Sequence, residues 1–312
     1  MTLASAPGKA ILLGEHAVVY GRPAIAVPVW EVAAQAEVLD DPGAPPGSFW
    51  LEAPAIELAG DLAALDPAHP LPRIVLDTLH AIGMEKPAPL RLCVTSTIPI
   101  ASGLGSGAAV SVAIARALSQ HLGVPLDPAQ ISALAFAVER IHHGTPSGID
   151  NTVVAYGQPV YFCRDKPPAP FRVGAPLCLV LGDTGVPVST SVAVGGVRER
   201  RRLHPVTYEA RFDAIGALVE EGRERIEAGL PAELGNLMSR NHALLQEIGV
   251  SSAALDSLVQ AALETGAWGA KLSGAGLGGT MLALAPPERQ EAIGQALLRA
   301  GAVQILATQV GS

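Results

Sequence analysis

Residues 99 to 110, PIASGLGSGAAV, constrain the chain more than any other stretch. An apolar run ends at Pro99, a glycine-serine loop follows, and a buried helix is expected from about Ala108 to Leu122. Gly103, Gly105 and Gly107 let the backbone turn tightly and come close to a ligand. The helix behind them points unsatisfied N–H groups and the positive end of its dipole at the loop, which makes it a cradle for an anion such as phosphate. An ordinary strand-loop-helix connection has the same local pattern, so the decision rests on motifs elsewhere in the chain.

With 312 residues the chain is long enough for about two domains. The proline-rich stretch 166 to 176 is the best boundary, which divides the chain into 1–172 and 173–312. A 49% hydrophobic and 16% charged composition excludes disorder. The net charge of -8 argues against nucleic acid as a partner, and the run Arg198, Arg200, Arg201 and Arg202 reads as a solvated helix face. Cys93, Cys163 and Cys178 sit in apolar runs without the spacing of a zinc site or a disulfide framework, so buried thiols in a reducing compartment are expected. No apolar run is long enough for a membrane span and no signal peptide is recognised, which points to the cytoplasm and to no membrane partner.

Along the chain, strands are expected at Ala10 to Leu13, Ala24 to Val29, Val32 to Leu39 and Phe49 to Leu58, followed by a helix near Leu71 to Ile82. Strand Leu90 to Ile98 delivers the glycine loop. Asp127 and Pro128 start a helix that ends near His142, with Glu139 in its last turn, where a helix disfavours an acid. HHGTPSGIDN follows, a turn leading to Asp150, and then a strand pair through Val153, Val154 and Val160 to Cys163. Beyond the boundary come strand Leu177 to Leu181, helices near 190–203, 206–228, 231–247 and 252–265, a strand-turn-strand at Ala267 to Ala285, a helix, and a last strand near Val303 to Thr308.

Several chemistries are excluded by context. Gly274, Gly276 and Gly279 satisfy G-x-G-x-x-G, but strand-like sequence follows them where a dinucleotide site needs a helix. No G-x-x-x-x-G-K-[ST] occurs, and neither Ser106 nor Ser147 sits in G-x-S-x-G. What remains is a phosphate loop, Lys9 in a glycine-flanked motif, Glu139 at a helix end and Asp150 beyond it, the parts that phosphoryl transfer needs. Glu139 with a hydroxyl such as Ser106 would give a metal oxygen ligands, and a carboxylate with Lys9 beside it would take the acceptor's proton.

APGKAILLGEHAVVYG at 6–21, PIASGLGSGAA at 99–109 and KLSGAGLGG at 271–279 resemble, in order and spacing, the three motifs of the galactokinase, homoserine kinase, mevalonate kinase and phosphomevalonate kinase (GHMP) superfamily. GEHAVVYG, Glu139, HHGTPSGIDN and DTGVPVSTSVAVGGVRERR at 183–201 are similar to the mevalonate kinases in their compact prokaryotic form. The resemblance implies an α+β fold with a ribosomal S5 domain 2-like N-terminal domain for ATP binding and catalysis and a ferredoxin-like C-terminal domain, with substrates in the cleft between them. It implies ATP-dependent phosphorylation of the C5 hydroxyl of mevalonate with Mg2+, in a family that often forms homodimers. Asp150 would be the catalytic base and Lys9 its cationic partner. ATP would be held by Ser96, Pro99, Ala101, Ser102, Gly103, Leu104, Gly105, Ser106, Gly107 and Ala108, and Mg2+ by Glu139 and Ser106. Glu15, His16, Ser147, Thr184, Gly274, Ala275 and Gly276 would line the mevalonate site.

One departure from the family pattern is visible: its loop usually reads GLGSSAA, and the second serine is Gly107 in this chain. Ser106 or water would then take that ligand's place. The alternatives are a kinase of the same fold acting on phosphomevalonate or homoserine, a hydrolase using Ser106, His143 and Asp150, and a non-catalytic sensor.

Overall fold

The computed structural model describes residues 1–84, 87–99, 102–143, 147–187 and 189–311, except for the side chains of His142 and His143. The chain forms two compact units. One comprises Met1–Gly8, Val32–Pro99 and Gly105–Gly157; the other comprises Lys9–Glu31, Ile100–Leu104 and Gln158–Ser312. Strands β1 (Thr2–Leu13) and β2 (Ala24–Asp40) pair with each other, and each runs through both units. The exposed Trp30 and Glu31, which break the apolar pattern in the sequence, interrupt burial but leave β2 extended.

The first unit adds β3 (Phe49–Ala53), β4 (Leu58–Asp61), α1 (Pro70–Ala81), β5 (Leu90–Ser96), α2 (Ser106–His121), α3 (Pro128–His143) and α4 (Ile149–Tyr156). The expected strand Phe49 to Leu58 divides at Pro54, which has no N–H for a ladder, and a short 3-10 turn separates β3 from β4. β5 pairs antiparallel with β2, Ala34 opposite Ser96, and parallel with β3. α2 packs against α1, α3 and α4, and its Ala108, Val112, Ala113, Ile114, Ala117 and Leu118 are wholly buried. Arg116 on α2 donates to the carbonyls of Ser5 (2.6 Å) and Ala155 (2.9 Å) and so ties β1 and α4 to it.

Helix α4 corrects the strand expected through Val153 and Val154. Its β-branched residues suit a strand, but Ile149, Thr152, Val153 and Val154 are all buried, so no helical period shows in the sequence. Left-handed Gly148 and Gly157 delimit the helix, and Asn151 Nδ2 holds it to Ser132 on α3 at 2.8 Å.

The second unit adds β6 (Val160–Phe162), β7 (Ala169–Pro170), β8 (Leu177–Asp183), α5 (Thr190–Leu203), α6 (Pro205–Glu227), α7 (Pro231–Glu247), α8 (Ala253–Glu264), β9 (Gly269–Leu272), β10 (Thr280–Ala285), α9 (Gln290–Arg299) and β11 (Gln304–Val310). The four helices from α5 to α8 lie where the sequence places them. β8, β9, β10 and β11 form an antiparallel sheet in the order β11-β8-β10-β9, the ferredoxin-like arrangement. Alternation along β10 puts Met281, Ala283 and Ala285 into one core with Ala270, Leu272, Phe212, Ile215, Leu245 and Leu258. Arg200 and Arg201 are less solvated than expected. Arg200 donates to the Ile248 carbonyl at the end of α7 (2.9 Å), and Arg201 lies 4.9 Å over the Tyr20 ring.

Among the described residues no helix is long and apolar enough to cross a membrane. The three cysteines are free thiols.

Candidate active site

The glycine loop enters α2 through Gly103 and Gly105, both left-handed (φ +82° and +76°). α2 begins at Ser106 with no side-chain cap, which leaves its first N–H groups available to an anion. Gly107 differs from its neighbours: it lies in the first helical turn without a positive φ, and a Cβ there would meet nothing within 4 Å. Ala108 is buried behind it. Ser96 Oγ accepts the Ile98 N–H (3.1 Å), a turn just before Pro99. Ala101 lies outside the described residues.

Glu139 is half-buried in the last turn of α3, and half-buried Asp150 is in the first turn of α4, where the helix dipole favours a carboxylate. Ser147 Oγ accepts the Ile149 N–H at 3.4 Å and so shapes the entry to α4. All three belong to the first unit, together with Ser106.

The second unit ties the three sequence motifs to one another. The Lys9 N–H donates to the Leu104 carbonyl (3.0 Å), which joins the first motif to the second. Thr280, directly after the third motif, donates through Oγ1 to the Ser102 carbonyl (2.6 Å) and so ties that motif's end to the second. The first and third meet where His16 Nε2 bonds the Ala275 carbonyl (2.9 Å), where the Ile11 N–H donates to Ser273 Oγ (3.1 Å), and where Lys271 pairs with Glu15. Gly276 is left-handed, and any Cβ there would sit 2.0 Å from the Val250 carbonyl oxygen, so this loop admits only glycine at that point. Thr184 binds the Gly279 carbonyl through both N–H and Oγ1, each at 2.9 Å, and holds the loop's far end; Gly274 and Ala275 are half-buried within it.

The charged groups where the first and third motifs meet are buried. Lys271 and Glu15 are 0% and 1% exposed. Burial pushes the Glu15 carboxyl above the usual carboxylate range and the Lys271 ammonium below the usual lysine range, and each one's charge opposes the other's shift. Burial also lowers the His16 imidazole to about 4, despite its bond to Ala275, so His16 is neutral at physiological pH. Lys9 is buried as well.

The sequence reading missed Lys271, Ser273, Thr280 and Asn241 as contributors. One signal was available for the first: Lys271 is one of only four lysines, and it stands in the apolar strand GAKL. Nothing local marks the other three, because their partners are far away in the chain.

Two family models match the chain, "GHMP kinases N terminal domain" over residues 72–158 and "GHMP kinases C terminal" over residues 215–303. The mevalonate kinases of Pyrococcus horikoshii and Thermococcus sibiricus are 39% and 38% identical to it, each over 97% of this chain and over 94% and 95% of their own. Among solved structures, L. major mevalonate kinase in complex with R-mevalonate superposes with a TM-score of 0.84 at 30% identity, covering 100% of this chain and 96% of that one. By its three motifs, its fold and these likenesses, the chain belongs to the GHMP kinases and, within them, to the mevalonate kinase family.

Proposed function

We propose that the protein transfers the γ-phosphoryl group of ATP to the C5 hydroxyl of mevalonate, giving 5-phosphomevalonate and ADP. The observation that carries this reading is the pairwise tying of the three motifs within one unit, through Lys9–Leu104, Ser102–Thr280 and His16–Ala275. Relatives that match over nearly the whole chain are mevalonate kinases, which favours this acceptor over phosphomevalonate or homoserine and disfavours the hydrolase built on Ser106, His143 and Asp150.

The roles follow from the chemistry of each group. Asp150 accepts the acceptor hydroxyl's proton, and Lys9 stabilises the charge that develops on transfer. The loop from Ser96 and Pro99 through Ala101, Ser102, Gly103, Leu104, Gly105, Ser106 and Gly107 to Ala108 wraps the triphosphate, whose charge the uncapped start of α2 complements. Mg2+ suits the residues present: Glu139 and Ser106 offer hard oxygen donors, and among the described residues no group of three or more His, Cys, Asp or Glu forms a full protein cage. The ion would therefore be shared with the nucleotide, where it neutralises phosphate charge. Glu15, His16, Ser147, Thr184 and Gly274 to Gly276 line the mevalonate site. We keep the division at 172/173 between the ATP-binding, catalytic part and the substrate part. A homodimer in the cytoplasm completes the reading, and the free thiols support that compartment.

The test is ADP release with ATP and Mg2+ against mevalonate, 5-phosphomevalonate, homoserine, galactose and a no-acceptor control. Turnover on mevalonate alone is expected. Faster turnover on another acceptor would discard the proposed substrate while leaving the kinase chemistry in place.

A further inference from the structure

Lys271 spends all three of its ammonium donors inside the protein: on Glu15 Oε1, on the Leu272 carbonyl (2.5 Å) and on the Ile11 carbonyl (3.4 Å). The other oxygen of Glu15 accepts from Asn241 Nδ2 at 3.5 Å. Both members of the pair are therefore committed to the protein. Their neighbours carry the turn and the loop that meet beside the pair. One residue from Glu15, His16 holds a left-handed φ of +61°, rare for a residue with a Cβ, and bonds the Ala275 carbonyl. Two residues from Lys271, Ser273 opens the glycine loop that contains Ala275.

We propose that Lys271 and Glu15 are positioning residues for the acceptor: their buried charge pair locks the Gly14–His16 turn to the 273–276 loop and holds both in the shape that receives the phosphoryl acceptor. The proposal rests on the acceptor-site reading above and assigns to the pair a role in acceptor binding rather than in nucleotide binding. The nucleotide side has a separate anchor directly after the same motif, Thr280 Oγ1 on the Ser102 carbonyl. The two anchors should therefore separate kinetically.

Lys271→Met alone strands a buried carboxylate and threatens the fold, so the main variant removes both charges at once, Glu15→Gln with Lys271→Met. It is expected to fold, to raise the acceptor KM by about tenfold or more and to leave the ATP KM within about threefold. Thr280→Val is expected to show the reverse split, with the ATP KM raised and the acceptor KM little changed. Amide hydrogen exchange supplies a readout independent of turnover: in the double variant residues 273–279 should lose protection by about tenfold while the sheet strands keep theirs. Unchanged acceptor KM, an equal rise in both KM values, or unchanged protection at 273–279 would each overturn the proposal. If the wild type works on a different acceptor, the proposed substrate falls, and the same KM split is read with that acceptor. If it works on none, the exchange measurement alone decides.

Discussion

Asp150 sits in the first turn of α4, where backbone N–H groups and the dipole favour a carboxylate. Asp150→Asn preserves shape and removes the carboxylate proposed as proton acceptor, so kcat should fall by about 10²–10⁴ while nucleotide binding stays close to wild type; single-turnover assays with a nucleotide-binding titration check both halves. His16 yields a pH prediction. Its imidazole is lowered by burial from 6.5 to about 4, so between those values the unfolded chain binds more protons than the folded one. The resulting stability is present above pH 6.5 and is withdrawn as the pH falls toward 4, worth roughly 2 kcal/mol between about pH 7.5 and pH 5. Urea unfolding at the two pH values should show that loss in the wild type and a smaller one in His16→Asn, which removes the titrating ring. Gly107 departs from the family's second serine, yet the helix leaves room for one. Gly107→Ser should stabilise by roughly 0.5–1 kcal/mol by removing glycine's backbone freedom, with the ATP KM equal or lower. A lowered melting temperature would show that this glycine serves a purpose beyond the helix.

Helix α7 and strand β9 approach so closely that a Cβ on Gly269 would lie 1.8 Å from the Gly235 carbonyl oxygen. Backbone cannot step aside cheaply, so Gly269→Ala should cost about 1–3 kcal/mol or more. Gly195 in α5 has nothing within 4 Å of its added Cβ, and Gly195→Ala should stabilise by about 0.5–1 kcal/mol. Paired thermal melts test the opposite signs. Legibility in the sequence divided along similar lines. Helices α5 to α8 were readable because each has a mixed polar and apolar surface whose period shows. Helix α4 was not, because it is buried on nearly all sides and carries β-branched residues, so neither period nor propensity identified it.

For the whole molecule, the proposed Mg2+ would be held by Glu139 and Ser106 together with the nucleotide, so folding of the nucleotide-free protein should not depend on a divalent ion. Chelation is expected to abolish ADP release, reversibly on adding Mg2+, while leaving the melting temperature of the nucleotide-free protein unchanged; a melting temperature that falls on chelation would reveal a structural metal. The three motifs, the order of strands and helices after residue 176 and the candidates Lys9, Glu139 and Asp150 were legible in the sequence, because glycine turns, helix starts and apolar periods are local properties of the chain. The pairing of Glu15 with Lys271, 256 residues away, in a water-excluded site, the neutral state of His16 and the bond by which Thr280 secures the glycine loop through Ser102 appear only in the folded chain. The physical reason is that desolvation and long-range pairing arise only when distant segments bury one another, and the energy of a buried charge depends on that enclosure rather than on its neighbours in sequence.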